Sequence, residues 1–293
     1  MIQLQRLEGF FRVVAAGGYT RAAKEFSYPI TQPGVHQQVR KLEQEVGVRL
    51  LVRLGRDQMR PTAAGQRLFE YCRPFFEGLP SVLDELATGR FGGTLRIDAA
   101  ALEIRHVLPD WIRALRGKWP ELKVLLEELP SGNLERLASN RSDLLIEYFE
   151  DVPNGFESKR IGTYFVFLVA PSGHVACKRK RVRLATLAGE PFIAFHASLP
   201  YTRRQLAAVA ALCPRHVLHA SSTDAILGFV AAGLGYSLIP WPTADGPVVA
   251  GVRAERMHGA GTQFPILAVW KRGAVAETLI QRALSALPPR KGG

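Results

Sequence analysis

Apolar residues at Leu4, Leu7, Phe10, Phe11 and Val14 recur at three- and four-residue steps. That spacing lines one helix face, so it predicts an amphipathic helix over 4–16, ended by Gly17-Gly18. A short second helix is expected next, capped by Thr20, with Ala22, Ala23 and Phe26 as its apolar face. Pro29 withdraws a helical N–H and pushes Tyr28 out of the α region, which marks residues 27–30 as a turn. A third helix then begins at Thr31, whose hydroxyl caps it, with Pro33 in the first turn and Val35, Val39 and Leu42 as the buried stripe. Its opposite face carries Gln32, Pro33, His36, Gln37 and Arg40, and no acid. Residues 48–62 show β-type alternation about the turn Gly55-Arg56-Asp57, which predicts a hairpin bearing Arg49, Arg53, Arg56 and Arg60.

From Thr62 onward the pattern changes to a heptad. Leu68, Cys72, Phe75, Leu79, Val82 and Leu86 alternate steps of four and three, the seam of a two-stranded coiled coil, while Pro74 and Pro80 are expected to bend or divide that helix. Phe91-Gly92-Gly93 closes it and marks a boundary. Beyond lies a strand–helix alternation, which predicts a mainly parallel sheet. The expected strands are 95–97, 123–129, 143–148, 165–169, 216–220, 237–239 and 266–270. Helices are expected over 104–119, 133–139, 203–211, 223–232 and 275–287. Two α/β lobes fit in this length, and a cleft between lobes is a natural ligand site.

Composition sharpens the picture by what it excludes. The chain has 293 residues, 47% hydrophobic and 22% charged, with 27 Gly and 19 Pro. At about 150 residues per domain this is ordinary globular composition for about two folded units, neither disordered nor collagenous. Three widely spaced cysteines (Cys72, Cys177, Cys213) make no disulfide framework and suit a reducing cytoplasm. The first helix carries Arg6, Glu8 and Arg12, unlike the apolar core of an export signal. The longest apolar run, Ala225–Trp241, is broken by Gly228, Gly233, Gly235 and Pro240, so no membrane span is expected. The formal charge of +12 points to an anionic partner. Residues 1–60 hold ten Lys and Arg against five acids, yet most of the excess lies in the second half of the chain.

The acid-free helix face gives that charge a use. Gln pairs bidentately with adenine and Arg with guanine, and His donates to guanine acceptors, so Gln32, His36, Gln37 and Arg40 fit base edges in a major groove. Arg21, Arg53 and Arg56 are placed to meet phosphate or the minor groove. Other chemistries fare worse. Cys213, His216 and His219 have ligand spacing, but on a strand the two histidines face opposite sides, and no metal site is expected. Gly233-Leu234-Gly235 precedes a strand, whereas a dinucleotide loop follows one, so no cofactor is implied. His196 and Ser198 lack an acid partner and a nucleophile elbow, and no catalytic residue is assigned. The run Lys178-Arg179-Lys180-Arg181 reads as a solvated loop.

Several stretches together carry a family likeness: Tyr19-Thr20-Arg21-Ala22-Ala23, Thr31-Gln32-Pro33-Gly34-Val35, Gln38-Val39-Arg40-Lys41-Leu42-Glu43, Gly47-Val48-Arg49-Leu50-Leu51 and Thr62-Ala63-Ala64-Gly65. Weaker matches are Gly93-Thr94-Leu95-Arg96-Ile97, Asp143-Leu144-Leu145-Ile146, Leu187-Ala188-Gly189-Glu190-Pro191-Phe192 and Val230-Ala231-Ala232-Gly233-Leu234-Gly235. The chain closely resembles LysR-type transcriptional regulators of bacteria. The resemblance implies an α/β protein overall: a winged helix-turn-helix over 1–61, a dimerising linker helix over 62–91, and a two-lobed effector-binding domain over 92–293 like a periplasmic binding protein. Lobe I would take about 92–162 and 266–293, and lobe II about 163–265. Implied partners are double-stranded promoter DNA, read through Thr20, Arg21, Thr31, Gln32, Pro33, His36, Gln37, Arg40, Arg53 and Arg56, a small effector, and further copies of the chain as dimer or tetramer. The effector site would involve Ala100, Ala101, Ser131, His196, Ser198 and Thr223; the alanines there favour an apolar or aromatic effector over a small carboxylate. Three departures from the family stand out: a turn at 26–31 two residues longer than usual, His36 where serine is common, and prolines in the linker. The rival reading is a solute-binding or enzymatic α/β protein whose N-terminal helices only mediate assembly, which leaves the acid-free face unexplained.

Overall fold

The computed structural model describes residues 2–88, 92–129, 132–174, 177, 182–199, 201–215 and 217–288. The chain divides into two compact units, one built mainly on residues up to Gly93 and the other mainly on residues from Thr94. Among the described residues no helix is long and apolar enough to cross a membrane.

In the first unit, α1 (Leu4–Ala16) and α3 (Gln32–Val46) cross over a core of Phe10, Val13, Ala22, Val35, Val39 and Leu42. Gly17 ends α1 in the left-handed region at φ 72°, where a glycine has no Cβ to clash. The short α2 (Tyr19–Ala22) corrects one expectation: Thr20 lies inside it and caps nothing. Its backbone N–H instead donates to Asp57 Oδ1 at 3.3 Å, so the hairpin turn supplies the acceptor that the hydroxyl was expected to give. Thr31 does cap α3, its Oγ1 accepting from Gly34 N at 3.4 Å. The hairpin is β1 (Leu51–Gly55) and β2 (Gln58–Pro61), paired antiparallel.

The linker helix α4 (Ala63–Thr88) starts at Thr62, whose Oγ1 accepts from Gly65 N at 3.0 Å. It runs unbroken through Pro74 and Pro80, so the prolines do not divide it. Each forfeits one backbone hydrogen bond, but the N-terminal half is held by tertiary contact, with Phe69 and Phe76 stacked on Phe11 at 5.2 and 5.0 Å. The heptad seam divides in use: Leu68 packs on the unit's own core and Cys72 is buried, while Phe75, Val82 and Leu86 stay exposed.

The second unit is built on a seven-stranded sheet. Its path is β10 (Val252–Arg256), β6 (Phe156–Pro171), β11 (Gln263–Lys271), β5 (Leu144–Glu147), β3 (Gly93–Ala99) and β4 (Leu122–Glu128), with β9 (Ser237–Trp241) also on β6. A second sheet pairs β7 (Phe192–Phe195) and β8 (Val217–Ala220) in parallel. The expected mainly parallel sheet is therefore mixed. β3 and β5 run parallel, but β6 is antiparallel to β9, β10 and β11, and β11 antiparallel to β5. The cause is β6 itself, 16 residues long, which carries the chain from one lobe to the other while β11 returns beside it. The helix expected over 104–119 is two, α5 (Ala101–His106) and α6 (Leu108–Lys118), because Pro109 has no N–H to continue the ladder. The remaining helices are α7 (Leu134–Ala138), α8 (Thr202–Val209), α9 (Thr223–Ala231) and α10 (Glu277–Ser285). Trp111 of α6 is buried and donates its indole N–H to the Ala283 carbonyl at 2.9 Å, which ties α6 to α10. The expected boundary residue Phe91 and the basic run 178–181 lie outside the described residues.

Close approach of α4 to the hairpin gives a test. A Cβ on Gly65 would fall 2.0 Å from the Leu50 carbonyl oxygen, a backbone atom that cannot swing away. Gly65→Ala should cost the first unit about 1–3 kcal/mol. Hydrogen exchange followed by mass spectrometry should show residues 4–61 opening more readily with the second unit unchanged; unaltered protection would contradict this contact.

Candidate functional site

Two surfaces collect the residues singled out from the sequence. On the first unit, burial of Val35, Val39 and Leu42 turns the other face of α3 outward, and Gln32, Pro33, His36, Gln37 and Arg40 are all exposed. The hairpin flanks this face. Arg53 closes its turn, donating Nε to the Gly55 carbonyl at 2.8 Å and Nη2 to the Arg56 carbonyl at 2.9 Å, and leaves Arg56 exposed at the tip. A groove of about 660 Å³ between helix and hairpin gathers Gln32, His36, Arg53 and Arg56 with Arg49 and Tyr19. Arg40 lines the adjoining hollow. Thr20, Arg21, Thr31, Pro33 and Gln37 are exposed but do not line the groove, and Arg21 donates to the Gly17 carbonyl at 2.8 Å.

Two acids line this groove, and both accept backbone N–H groups, Asp57 Oδ1 from Thr20 N at 3.3 Å. Glu43 Oε1 accepts from the backbone N–H of Leu50 at 2.7 Å and of Leu51 at 3.0 Å, fixing the hairpin to α3. Beneath lies Tyr19, its ring 5.0 Å from that of His36. Burial, and then the Glu43 charge, push the Tyr19 hydroxyl up to about 12, so it stays a neutral donor. Arg49 and Tyr19 were missed as site residues; Arg49 was visible as a member of the basic hairpin, Tyr19 only through folding.

The second surface is a cavity of about 290 Å³ in the second unit. Ala100, Ala101 and Thr223 line it. His196 and Ser198 do not; both are exposed and lie 2.9 Å apart, Nδ1 to Oγ, beside the opening strand end. Ser131 lies outside the described residues. Glu103, Glu128 and Glu147 also line the cavity, with the rings of Tyr148, Tyr164 and Tyr201, so carboxyl groups join the alanines and the aromatic surface. Phe264 joins the rings into one surface, 4.7 Å from Tyr148, 5.1 Å from Tyr164 and 5.3 Å from Tyr201. Behind them Arg204 hydrogen-bonds the Tyr148 hydroxyl and sits 5.6 Å from the Phe264 centroid.

Two carboxyl groups in this wall are unusual. Glu103 of α5 is 3% exposed, and the Tyr164 hydroxyl donates to its Oε1. Its Oε2 is buried with no hydrogen-bond partner among the described residues. Glu147 ends β5, with Oε1 accepting from Tyr148 N at 2.9 Å and Oε2 from Gly132 N at 3.1 Å. Burial, reinforced by Glu147, raises the Glu103 carboxyl well above the usual carboxylate range, and burial raises Glu147 as well. Among the described residues no Lys or Arg side chain lines the cavity and no group of three metal-ligating side chains is assembled.

A raised carboxyl destabilises the folded chain as pH rises, because the unfolded state ionises first. Glu103→Gln keeps the Tyr164 hydrogen bond and removes that penalty. The second unit should then melt at a higher temperature than the parent, by a margin that is small near the acid end and grows towards pH 8. A lower melting temperature at every pH would contradict the burial cost.

Comparison with known proteins places both surfaces in context. Residues 4–66 match the bacterial regulatory helix-turn-helix protein, lysR family, and residues 88–289 match the LysR substrate binding domain. Among similar curated proteins is the regulatory protein NocR of Agrobacterium fabrum, 27% identical over 84% of this chain and 82% of the relative. The uncharacterized HTH-type transcriptional regulator YybE of Bacillus subtilis is 27% identical over 97% of this chain and 99% of its own. Among solved structures, a full-length OxyR variant from Pseudomonas aeruginosa superposes with a TM-score of 0.71 at 19% identity, covering 98% of this chain and 95% of that one. CbnR complexed with its target DNA superposes with a TM-score of 0.63 at 22% identity, covering 97% and 98%. With its helix-turn-helix and its two-lobed domain each matched over nearly their full extent, the chain belongs to the LysR family of bacterial transcriptional regulators.

Proposed function

We propose that residues 1–61 read promoter DNA with α3 in the major groove, that residues 62–91 pair two copies along α4, and that residues 92–293 bind a small effector in the cavity. In this reading lobe I takes about 92–162 and 266–293, and lobe II about 163–265. Gln32, Pro33, His36, Gln37 and Arg40 face base edges, Arg21, Arg53 and Arg56 meet phosphate or the minor groove, and Thr20 and Thr31 complete the DNA-contacting set. One observation carries this reading: an exposed helix face without acids, flanked by an arginine-bearing hairpin, with the two carboxylates of the groove between them, Glu43 and Asp57, held by backbone N–H groups. The exposed Phe75, Val82 and Leu86 of α4 support pairing with a second copy, as a dimer or as a tetramer. The effector closes the lobes and so alters the spacing of the recognition helices on the promoter. The protein works in the cytoplasm, is not an enzyme and needs no cofactor.

Mobility-shift titration on the chain's own upstream intergenic DNA, with footprinting, is the test. Arg40→Ala or Gln32→Ala should lose about 1–3 kcal/mol on the specific site alone, whereas Arg56→Ala should weaken specific and random DNA alike and lower the salt slope by about 1. A missing footprint would leave the solute-binding alternative standing. Equal loss on both DNAs for Arg40→Ala would remove its base-reading role.

A further inference from the structure

The cavity wall says what kind of effector fits, given the reading above that this cavity is the effector site. A small carboxylate meets Glu103, Glu128 and Glu147 there, while Asp224 is already paired with Arg105, and among the described residues no Lys or Arg lines the space to receive it. A purely apolar ligand fits the alanines and the rings but seals Glu103 Oε2, already buried without a partner, still further from water. Buried acceptors are almost always hydrogen-bonded, so one left unsatisfied on a residue that lines a cavity calls for a donor from the ligand. Glu147 holds a second carboxyl nearby, and its two oxygens accept only backbone N–H groups. Opposite charge is what such a pair lacks.

We infer that the effector is a small organic cation, an amine or guanidinium compound, whose N–H groups bond Glu103 Oε2 beside Glu147 and whose carbon frame lies against the rings of Tyr148, Tyr164, Tyr201 and Phe264. The rings suit that partner, since their faces are negative and attract a cation or the methylenes next to it. The volume, about 290 Å³, accommodates a frame of one aromatic ring or a short aliphatic chain. Arg204, which holds Tyr148 from behind, does not enter the lined space. The raised carboxyls agree with an unliganded site that keeps its protons until a cation replaces them.

Calorimetric titration of the full-length protein with two matched series separates charge from shape. One series is 2-phenylethylamine, 2-phenylethanol and phenylacetate; the other is pentylamine, pentanol and pentanoate. In at least one series the ammonium should bind at least tenfold more tightly than the carboxylate, and Glu103→Gln should erase at least tenfold of that advantage while the alcohol's affinity changes little. Glu147→Gln, expected to weaken the same preference, serves if Glu103→Gln does not fold. Equal or tighter binding of the carboxylates, no binding of either ammonium at millimolar concentration, or ammonium binding indifferent to both substitutions would overturn the inference. Ala101→Trp, which fills the cavity, keeps the two readings apart. Binding lost in that variant but favouring carboxylates leaves the cavity as the effector site and rejects the cation, whereas binding retained in it rejects the cavity.

Discussion

The pairing of β6 with β11 sets what the effector domain can be, because these two strands belong to both lobes and everything else in the domain hangs from them. Their register holds from Gln263 opposite Phe165 to Ile266 opposite Gly162, then slips so that Leu267 faces Arg160 and Ile161 is left over. In a strand with a two-residue period, one extra residue exchanges the faces. On one side of the slip Tyr164 and Phe264 are partners in the ladder and turn their rings into the cavity. On the other, Leu267 and Val269 join Leu145 and Leu137 in the apolar core. Gly162 lies at the junction, where a Cβ would stand 2.9 Å from Ile266 Cδ1. Alternation alone puts Phe264 on one face of β11 and Leu267 and Val269 on the other; the irregularity exchanges the faces of β6 only, so that Arg160 and not Ile161 stands opposite Leu267.

The DNA-reading unit solves a different problem, holding a thin hairpin at a fixed angle to a helix with little apolar surface between them. Backbone bonds do it. Glu43 takes the N–H groups of Leu50 and Leu51, and the Gly17 carbonyl accepts from Met59 N at 3.0 Å. Gly18 lets the hairpin turn come close, since a Cβ there would lie 2.3 Å from the Asp57 carbonyl oxygen. The pair Gly17-Gly18, legible in the sequence as a helix stop, therefore also seats the wing. Using Glu43 and Asp57 internally leaves the outward surface to arginine, which is why local placement matters more for DNA binding than the total of +12.

What was legible in the sequence follows the range of the forces involved. Local periodicity and capping predict α1, α3, the hairpin and the start of α4, because each depends on residues within a few turns of one another. The central stretch of β6 at 165–169, buried on both faces, was legible as a strand, whereas its first part and β10 were not. The first part of β6, with Glu157, Ser158, Lys159 and Arg160, is partly exposed and shows no alternation, and β10 is half-buried throughout. Four fully buried residues in β7 make too short a run to separate strand from helix. The cavity was legible only in part. Ala100, Ala101 and Thr223 follow from a known strand end, but the rings of Tyr148, Tyr164, Tyr201 and Phe264 meet only once the lobes are assembled, and no spacing announces them.

Buried acids make the same point in electrostatic terms. Asp98 on β3 is 2% exposed, and Arg136 neutralises it with Nε to Oδ2 at 2.7 Å and Nη2 to Oδ1 at 3.3 Å. Asp143, also buried, accepts the Arg96 N–H at 2.8 Å and pairs with its guanidinium at 3.5 Å. Both acids obey the rule that a carboxylate leaves water only with a partner. Glu103, scarcely farther along the chain than Asp98, has the Tyr164 hydroxyl and backbone N–H groups at the start of α5 but, among the described residues, no cation. The domain is rich in arginine, so shortage of cations does not explain the difference; placement does, since among the described residues no arginine lines the cavity. A fold that neutralises two buried carboxylates from its own chain and leaves the third open to a ligand-sized space has left the matching charge to come from outside.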